Sequence, residues 1–145
     1  MTEIKNQSFE IILEYIKDLS IETPSAATLL NVRDNIGNYN LEIDISSLAL
    51  KNQSLEITTK LILQDKNEKS ENRAFFEIKY ATVISINSSI VDKKRISKIV
   101  LCDLQKMIYP KVEKIFIDLI KNSGYPNIKF EKKVDFEKMY NDKFN

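Results

Sequence analysis

The side chains that could do chemistry are a single cysteine, several closely spaced carboxylates and an adjacent pair of phenylalanines, in a chain of 145 residues without histidine. The missing histidine removes the commonest general base and metal ligand. One thiol supports neither a cysteine-based dyad nor a thiolate zinc site. Gly37 and Gly124 are the only glycines, too few for a phosphate-cradling loop. Glu10 with Glu14 and Asp18 with Glu22 form carboxylate pairs on paper. Acid catalysis would need one member of a pair to be desolvated, whereas their alternation with apolar residues places them on a wet strand face. Cys102, inside Ile99-Val100-Leu101-Cys102, reads as a small buried apolar group. No enzyme, cofactor or metal site is therefore expected. In a strand the neighbours Phe75 and Phe76 point to opposite faces. Phe76 falls in the buried set, so Phe75 emerges beside Glu77 and Lys79, either as a stray ring or as an anchor for a partner.

These residues sit on elements of two periods. From Phe9 to Thr23 the odd positions Phe9, Ile11, Leu13, Tyr15, Leu19 and Ile21 are apolar, Lys17 excepted, and the even ones include Glu10, Glu14, Asp18 and Glu22. An unbroken period of two predicts one strand with an apolar face and an acidic face. Its length, roughly 50 Å at about 3.3 Å per residue, exceeds an ordinary strand, so its edge must bulge, bend away or pair with another chain. Self-association is the first inference. Thr23 to Asn38, punctuated by Pro24 and Gly37, reads as a long connector made unusually apolar by Leu29, Leu30, Val32 and Ile36.

Further alternating segments predict strands at about 39–49, 54–64 and 73–87, joined by the polar connections Lys51–Ser54 and Asp65–Asn72. From Lys93 the period changes to about 3.6, with Ile96, Val100, Leu104, Ile108, Val112, Ile115, Phe116 and Leu119 on one stripe. Pro110 suits a first helical turn and not an interior, so helices are expected at about 93–108 and 109–122. Ser123-Gly124-Tyr125-Pro126 ends the second, and a linker, Asn127–Lys133, leads to a last helix at about 135–143. Strands followed by helices make an α+β domain over 1–145: a four-stranded antiparallel meander sheet with C-terminal helices packed on one face.

The net charge of +1 hides an asymmetry: residues 1–92 carry 14 acidic and 9 basic side chains, a net of −5, and residues 93–145 carry 7 and 13, a net of +6. The acidic half could meet a basic partner. The lysines are spread around helices without interleaved aromatics, so nucleic acid is not an expected partner. No apolar run reaches membrane-span length, the opening Met1–Ser8 lacks a signal-peptide core, and the lone cysteine suits a reducing compartment, which together point to the cytoplasm.

The run Tyr15-Ile16-Lys17-Asp18-Leu19-Ser20-Ile21-Glu22-Thr23-Pro24-Ser25-Ala26 resembles the opening signature of the SecB family, bacterial chaperones of protein export. The likeness continues through Ala74-Phe75-Phe76-Glu77-Ile78-Lys79-Tyr80-Ala81, Tyr109-Pro110, Ser123-Gly124-Tyr125-Pro126 and Val134-Asp135-Phe136. It departs at Leu104–Tyr109, where the family has a Cys-Pro-x-x-Leu-Phe-Pro pattern, and at Ala81-Thr82, where a Gly-Gly pair is common. The resemblance implies a crossover loop after strand 1 and a homotetramer, a dimer of dimers with the long helices between two eight-stranded sheets. It implies ATP-independent binding of non-native precursors and their delivery to the motor SecA, whose basic tail docks on an acidic outer sheet face matching Asp18, Glu22, Phe75 and Glu77 here. SecB-like chaperones that guard an antitoxin also exist.

A chaperone of this kind needs solvated apolar surface. The candidate client contacts are Leu29, Leu30, Val32 and Ile36 of the connector with Phe130, Phe136, Met139 and Tyr140 of the C-terminal segment. A competing reading from another class is a small module that encloses an apolar ligand between helix and sheet.

Overall fold

The alternating segments form four strands, β1 (Phe9–Glu22), β2 (Tyr39–Ala49), β3 (Ser54–Asp65) and β4 (Phe75–Ile86). The computed structural model describes residues 8–67, 72–130 and 133–144. Residues 1–7 and parts of the Asp65–Asn72 connection and the Asn127–Lys133 linker lie outside the described residues. All strand pairs are antiparallel in the order β1-β4-β3-β2, so β2 to β4 make a meander and the chain crosses over after β1 to reach it. β1 and β2 are the sheet's two edges. The β2–β3 hairpin turns through Asn52 and Gln53 at φ of 60° and 58°, the left-handed region that asparagine tolerates better than most residues.

One sheet face is dry. Ile57, Leu61, Phe76, Ile78 and Ile84 are fully buried there against the helices, as alternation in β3 and β4 requires. The cover is α2 (Lys93–Lys98), a π-helical turn over Ile99–Asp103, α3 (Leu104–Lys121) and α4 (Phe136–Phe144). The expected stripe is largely present, with Val100, Leu104, Ile108, Val112 and Phe116 buried.

Two local expectations need correction. The segment between β1 and β2 is not a loop but a helix, α1 (Ala26–Asn35), followed by a 3₁₀ turn over Ile36–Asn38. Ser25 is its N-cap, its hydroxyl accepting from the Thr28 backbone N–H at 3.1 Å, and Thr28 and Val32, four residues apart, are its buried contacts. The second correction concerns Pro110, which lies inside α3 and not at a helix start. Ile108, Tyr109 and Val112 are buried on either side of it. Burying three large side chains offsets the roughly 3 kcal/mol that an interior proline costs. The irregularity falls instead at Ile99–Asp103, where one wide turn re-phases the stripe.

Candidate functional site

β1 does not keep one face inward. Its pairing with β4 shifts twice, between Ile11 and Leu13 and between Ile16 and Asp18, so Ile12 and Lys17 have no partner in the ladder. Each extra residue reverses the facing of the strand residues after it. Before the first bulge Phe9 and Ile11 share the helix-side face with Ile86 and Ile84, and after the second Leu19 and Ile21 share it with Ile78 and Phe76. Between the bulges the sides exchange: Leu13 and Tyr15 pass to the outer face, while Glu14 and Ile16 lie opposite Thr82 and Tyr80 on the helix side. The expected uninterrupted alternation is therefore wrong for residues 13–16, although a bulged edge is one of the expected remedies for the strand's length.

Glu14 is satisfied where it lands. It accepts from Lys111 Nζ at 2.8 Å and from the Tyr80 hydroxyl at 3.1 Å, and it holds the Lys111 ammonium above its ordinary pKa. On the outer face Tyr15 and Lys17 both donate to Glu56 at 2.8 Å, which keeps the Glu56 carboxyl below the usual glutamate range. The bulges leave Ile12, Leu13, Ile16 and Leu19 substantially exposed along the sheet edge, with Ile12 at 53%. Exposed apolar side chains along an unpaired strand edge are a general feature of surfaces that pair with another chain.

The outer face gathers the four residues expected to dock a partner. Glu22 lies opposite Phe75, Ser20 opposite Glu77 and Asp18 opposite Lys79, so Asp18, Glu22, Phe75 and Glu77 occupy one end of the β1–β4 pair. Asp18 and Glu22 are exposed, and Phe75 and Glu77 are half-buried.

A groove of about 980 Å³ runs beside β2 at the other edge. Tyr39, Leu41 and Ile43 of β2 line one side, and Phe130, Val134 and Met139 of the C-terminal segment line another, with Ile36 from the 3₁₀ turn at one end. Of the eight expected client contacts, Ile36, Phe130 and Met139 line this groove. Val32, Phe136 and Tyr140 do not offer open surface, because packing claims them. Val32 is fully buried, Phe136 meets Tyr109 edge-on with ring centroids 5.1 Å apart, and the Tyr140 hydroxyl donates to the Lys94 carbonyl at 3.4 Å. Leu29 is half-buried against the core and Leu30 is 62% exposed; neither lines the groove. The β2 contribution escapes a sequence reading because alternation identifies a strand's apolar face but not that the strand is an edge.

Cys102 is fully buried, which pushes its thiol above the ordinary range and away from thiolate reactivity. Among the described residues no cluster of three metal-ligating side chains occurs, and no helix is long and apolar enough to cross a membrane.

A sequence model of the SecB family, described as preprotein translocase subunit SecB, matches residues 2–145. The chain is 45% identical over 139 residues to a candidate protein-export protein SecB of Pelagibacter ubique, covering 96% of this chain and 99% of that one. It is 28% identical over 131 residues to the protein-export protein SecB of Bradyrhizobium diazoefficiens, covering 90% and 78%. Among solved structures, the SecB-like chaperone of Mycobacterium tuberculosis, bound to a peptide from an antitoxin, superposes with a TM-score of 0.61 at 15% identity, covering 91% of this chain and 95% of that one. That likeness extends the comparison to the fold. With the family model spanning nearly its whole length, this chain belongs to the SecB family of preprotein translocase subunits.

Proposed function

We propose that this chain is an ATP-independent holdase that binds non-native precursor polypeptides in the cytoplasm and passes them to the export motor SecA. The observation that carries this reading is the open groove beside the unpaired edge of β2, floored by Tyr39, Leu41, Ile43, Phe130 and Met139. An extended chain can lie along such an edge, and burial of its apolar side chains at roughly 25 cal/mol per Å² favours capture without a strict sequence requirement. Met139 and the aromatic rings suit varied clients, because a flexible thioether and broad flat faces adapt to many shapes. No nucleotide-binding motif is needed for binding of this type.

The apolar edge of β1 supports pairing of two subunits, the first step of the expected dimer of dimers. Two β1 edges brought together would cover Ile12, Leu13, Ile16 and Leu19 and join two four-stranded sheets. The patch formed by Asp18, Glu22, Phe75 and Glu77 is the proposed SecA-docking face, an aromatic anchor ringed by carboxylates for a basic partner. Export is favoured over antitoxin guarding because the sequence relatives at 45% and 28% identity carry protein-export names, the first as a candidate, while the antitoxin-bound chaperone shares 15%.

Light scattering from a chemically unfolded precursor, diluted into buffer with and without the protein, tests the reading. Suppressed aggregation at stoichiometric tetramer supports it, and undiminished aggregation contradicts it. Chromatography with light scattering tests the assembly, with a mass near four times 16.9 kDa expected.

A further inference from the structure

The groove beside β2 carries a charge pattern that its apolar floor does not explain. Lys66, just beyond β3, Lys133, ahead of α4, and Lys138, within α4, line it from three separate parts of the chain. All three are exposed, and none makes an ion pair among the described residues. Lys129 also lines the groove, against the acidic Asp135 and Asp142. Asp135 accepts from the Lys138 backbone N–H at 3.0 Å, capping α4, and keeps its negative charge. Asp142, one turn beyond Lys138, is the other acid of the lining among the described residues. Among the described residues the groove is thus an apolar floor with a basic rim, four lysines against two aspartates, on a chain whose net charge is only +1.

Tyr39, Leu41 and Ile43 reach the groove at every second residue of β2, roughly 7 Å apart along a strand. That spacing matches an extended peptide carrying apolar side chains at alternate positions. Resting on the client-binding function proposed above, we infer that the groove selects extended polypeptide segments whose apolar residues are flanked by aspartate or glutamate, and discriminates against lysine- and arginine-flanked ones. The floor supplies the affinity, and the lysines supply the selection by attracting carboxylates and repelling cations at the rim.

Fluorescence anisotropy with two short labelled peptides tests this on the full chain. Both peptides carry the same alternating phenylalanine and valine core, one flanked by glutamates and the other by lysines. The glutamate-flanked peptide is expected to bind roughly tenfold more tightly at about 0.01 M salt, with the gap shrinking towards equality near 1 M, as rim charges at exposed sites are screened. The combined variant Lys66→Glu, Lys133→Glu, Lys138→Glu, which changes only exposed side chains, is expected to reverse the order. Equal affinity, a preference for the lysine-flanked peptide, or a preference unchanged in the variant would overturn the inference and leave the holdase reading standing. If neither peptide binds while an unfolded protein is still captured, the inference falls alone. If the unfolded protein also goes uncaptured, the holdase reading falls with it.

Discussion

Lys111 Nζ on α3 lies 2.8 Å from both carboxylate oxygens of Glu14, the residue that the first bulge in β1 turns towards the helices. This pair fastens the middle of an edge strand to the helical layer at a point where an apolar contact would have been expected. Glu14 is mostly covered and Lys111 about half exposed, so the interaction is stronger than an average surface pair but remains screened by water on one side. Glu14→Ala and Lys111→Ala are each expected to lower stability by about 1 kcal/mol. A double-mutant cycle in urea should give a coupling of roughly 0.5–1 kcal/mol that falls with added salt. Strict additivity would show that the contact contributes nothing.

The same region shows where sequence patterns carry structure and where they stop. Strands β2, β3 and β4 are readable because every second residue meets the helices and no extra residue intervenes, as the unbroken β3–β4 register from Ser54–Ser85 to Gln64–Phe75 shows. In β1 the inserted residues Ile12 and Lys17 are an ordinary apolar and an ordinary basic residue, and nothing in their type marks a bulge. The sides exchanged by Leu13 to Ile16 are for that reason unreadable. Helix α1 leaves a fainter trace: Ser25 followed by Ala26 and Ala27 is a cap with two strong helix formers, but only Thr28 and Val32 are buried, too few to show a period. On the proposed docking face, Asp18 and Glu22 lie beyond both bulges, where the original alternation is restored, which is why the outward reading of those two residues agrees with the register.

Gln105 and Thr59 form a fully buried polar pair between α3 and β3. The Gln105 amide donates to the Thr59 hydroxyl at 3.0 Å, and that hydroxyl lies 3.2 Å from the Gln105 carbonyl oxygen. Gln105→Ala removes the partner and opens a void, and is expected to cost about 2–4 kcal/mol. Replacing both with apolar residues of similar shape, Gln105→Leu with Thr59→Val, is expected to cost clearly less than the single alanine change, because neither side chain of the pair is left orphaned and only the long 3.5 Å contact to the Val100 carbonyl is lost. Thermal unfolding of the two variants compares them directly. A double variant less stable than Gln105→Ala would contradict this view of the pair.

Acidification should be felt at Glu56. Its carboxyl is held below the ordinary range by hydrogen bonds from Lys17 and, next, Tyr15. A depressed folded-state value means that the ionised group contributes stability above its unfolded pKa of about 4.3, and that this contribution is lost as pH falls through the folded value. Carbon-detected NMR titration is expected to place the Glu56 transition below that of exposed glutamates, and Lys17→Met to move it upward. A transition at the ordinary value in the parent protein would contradict the contact.

Gly124 adopts φ of +114°, and a Cβ placed there would stand 3.0 Å from Leu29 Cδ1 of α1. Gly124→Ala should therefore lower stability by about 1–2 kcal/mol, chiefly through the backbone conformation. Adding Leu29→Ala frees space without changing φ, so it should not restore stability in urea unfolding. Full restoration would assign the cost to crowding instead.

The proposed holdase function requires that this chain recognise polypeptides because they are unfolded. Its most direct test is titration of the protein with one polypeptide in two forms, the folded disulfide-bonded parent and its reduced, carboxymethylated derivative that cannot fold. A complex with the unfolded form and none with the folded form is the predicted result. No complex with the unfolded form, or equal binding of both, would contradict the account.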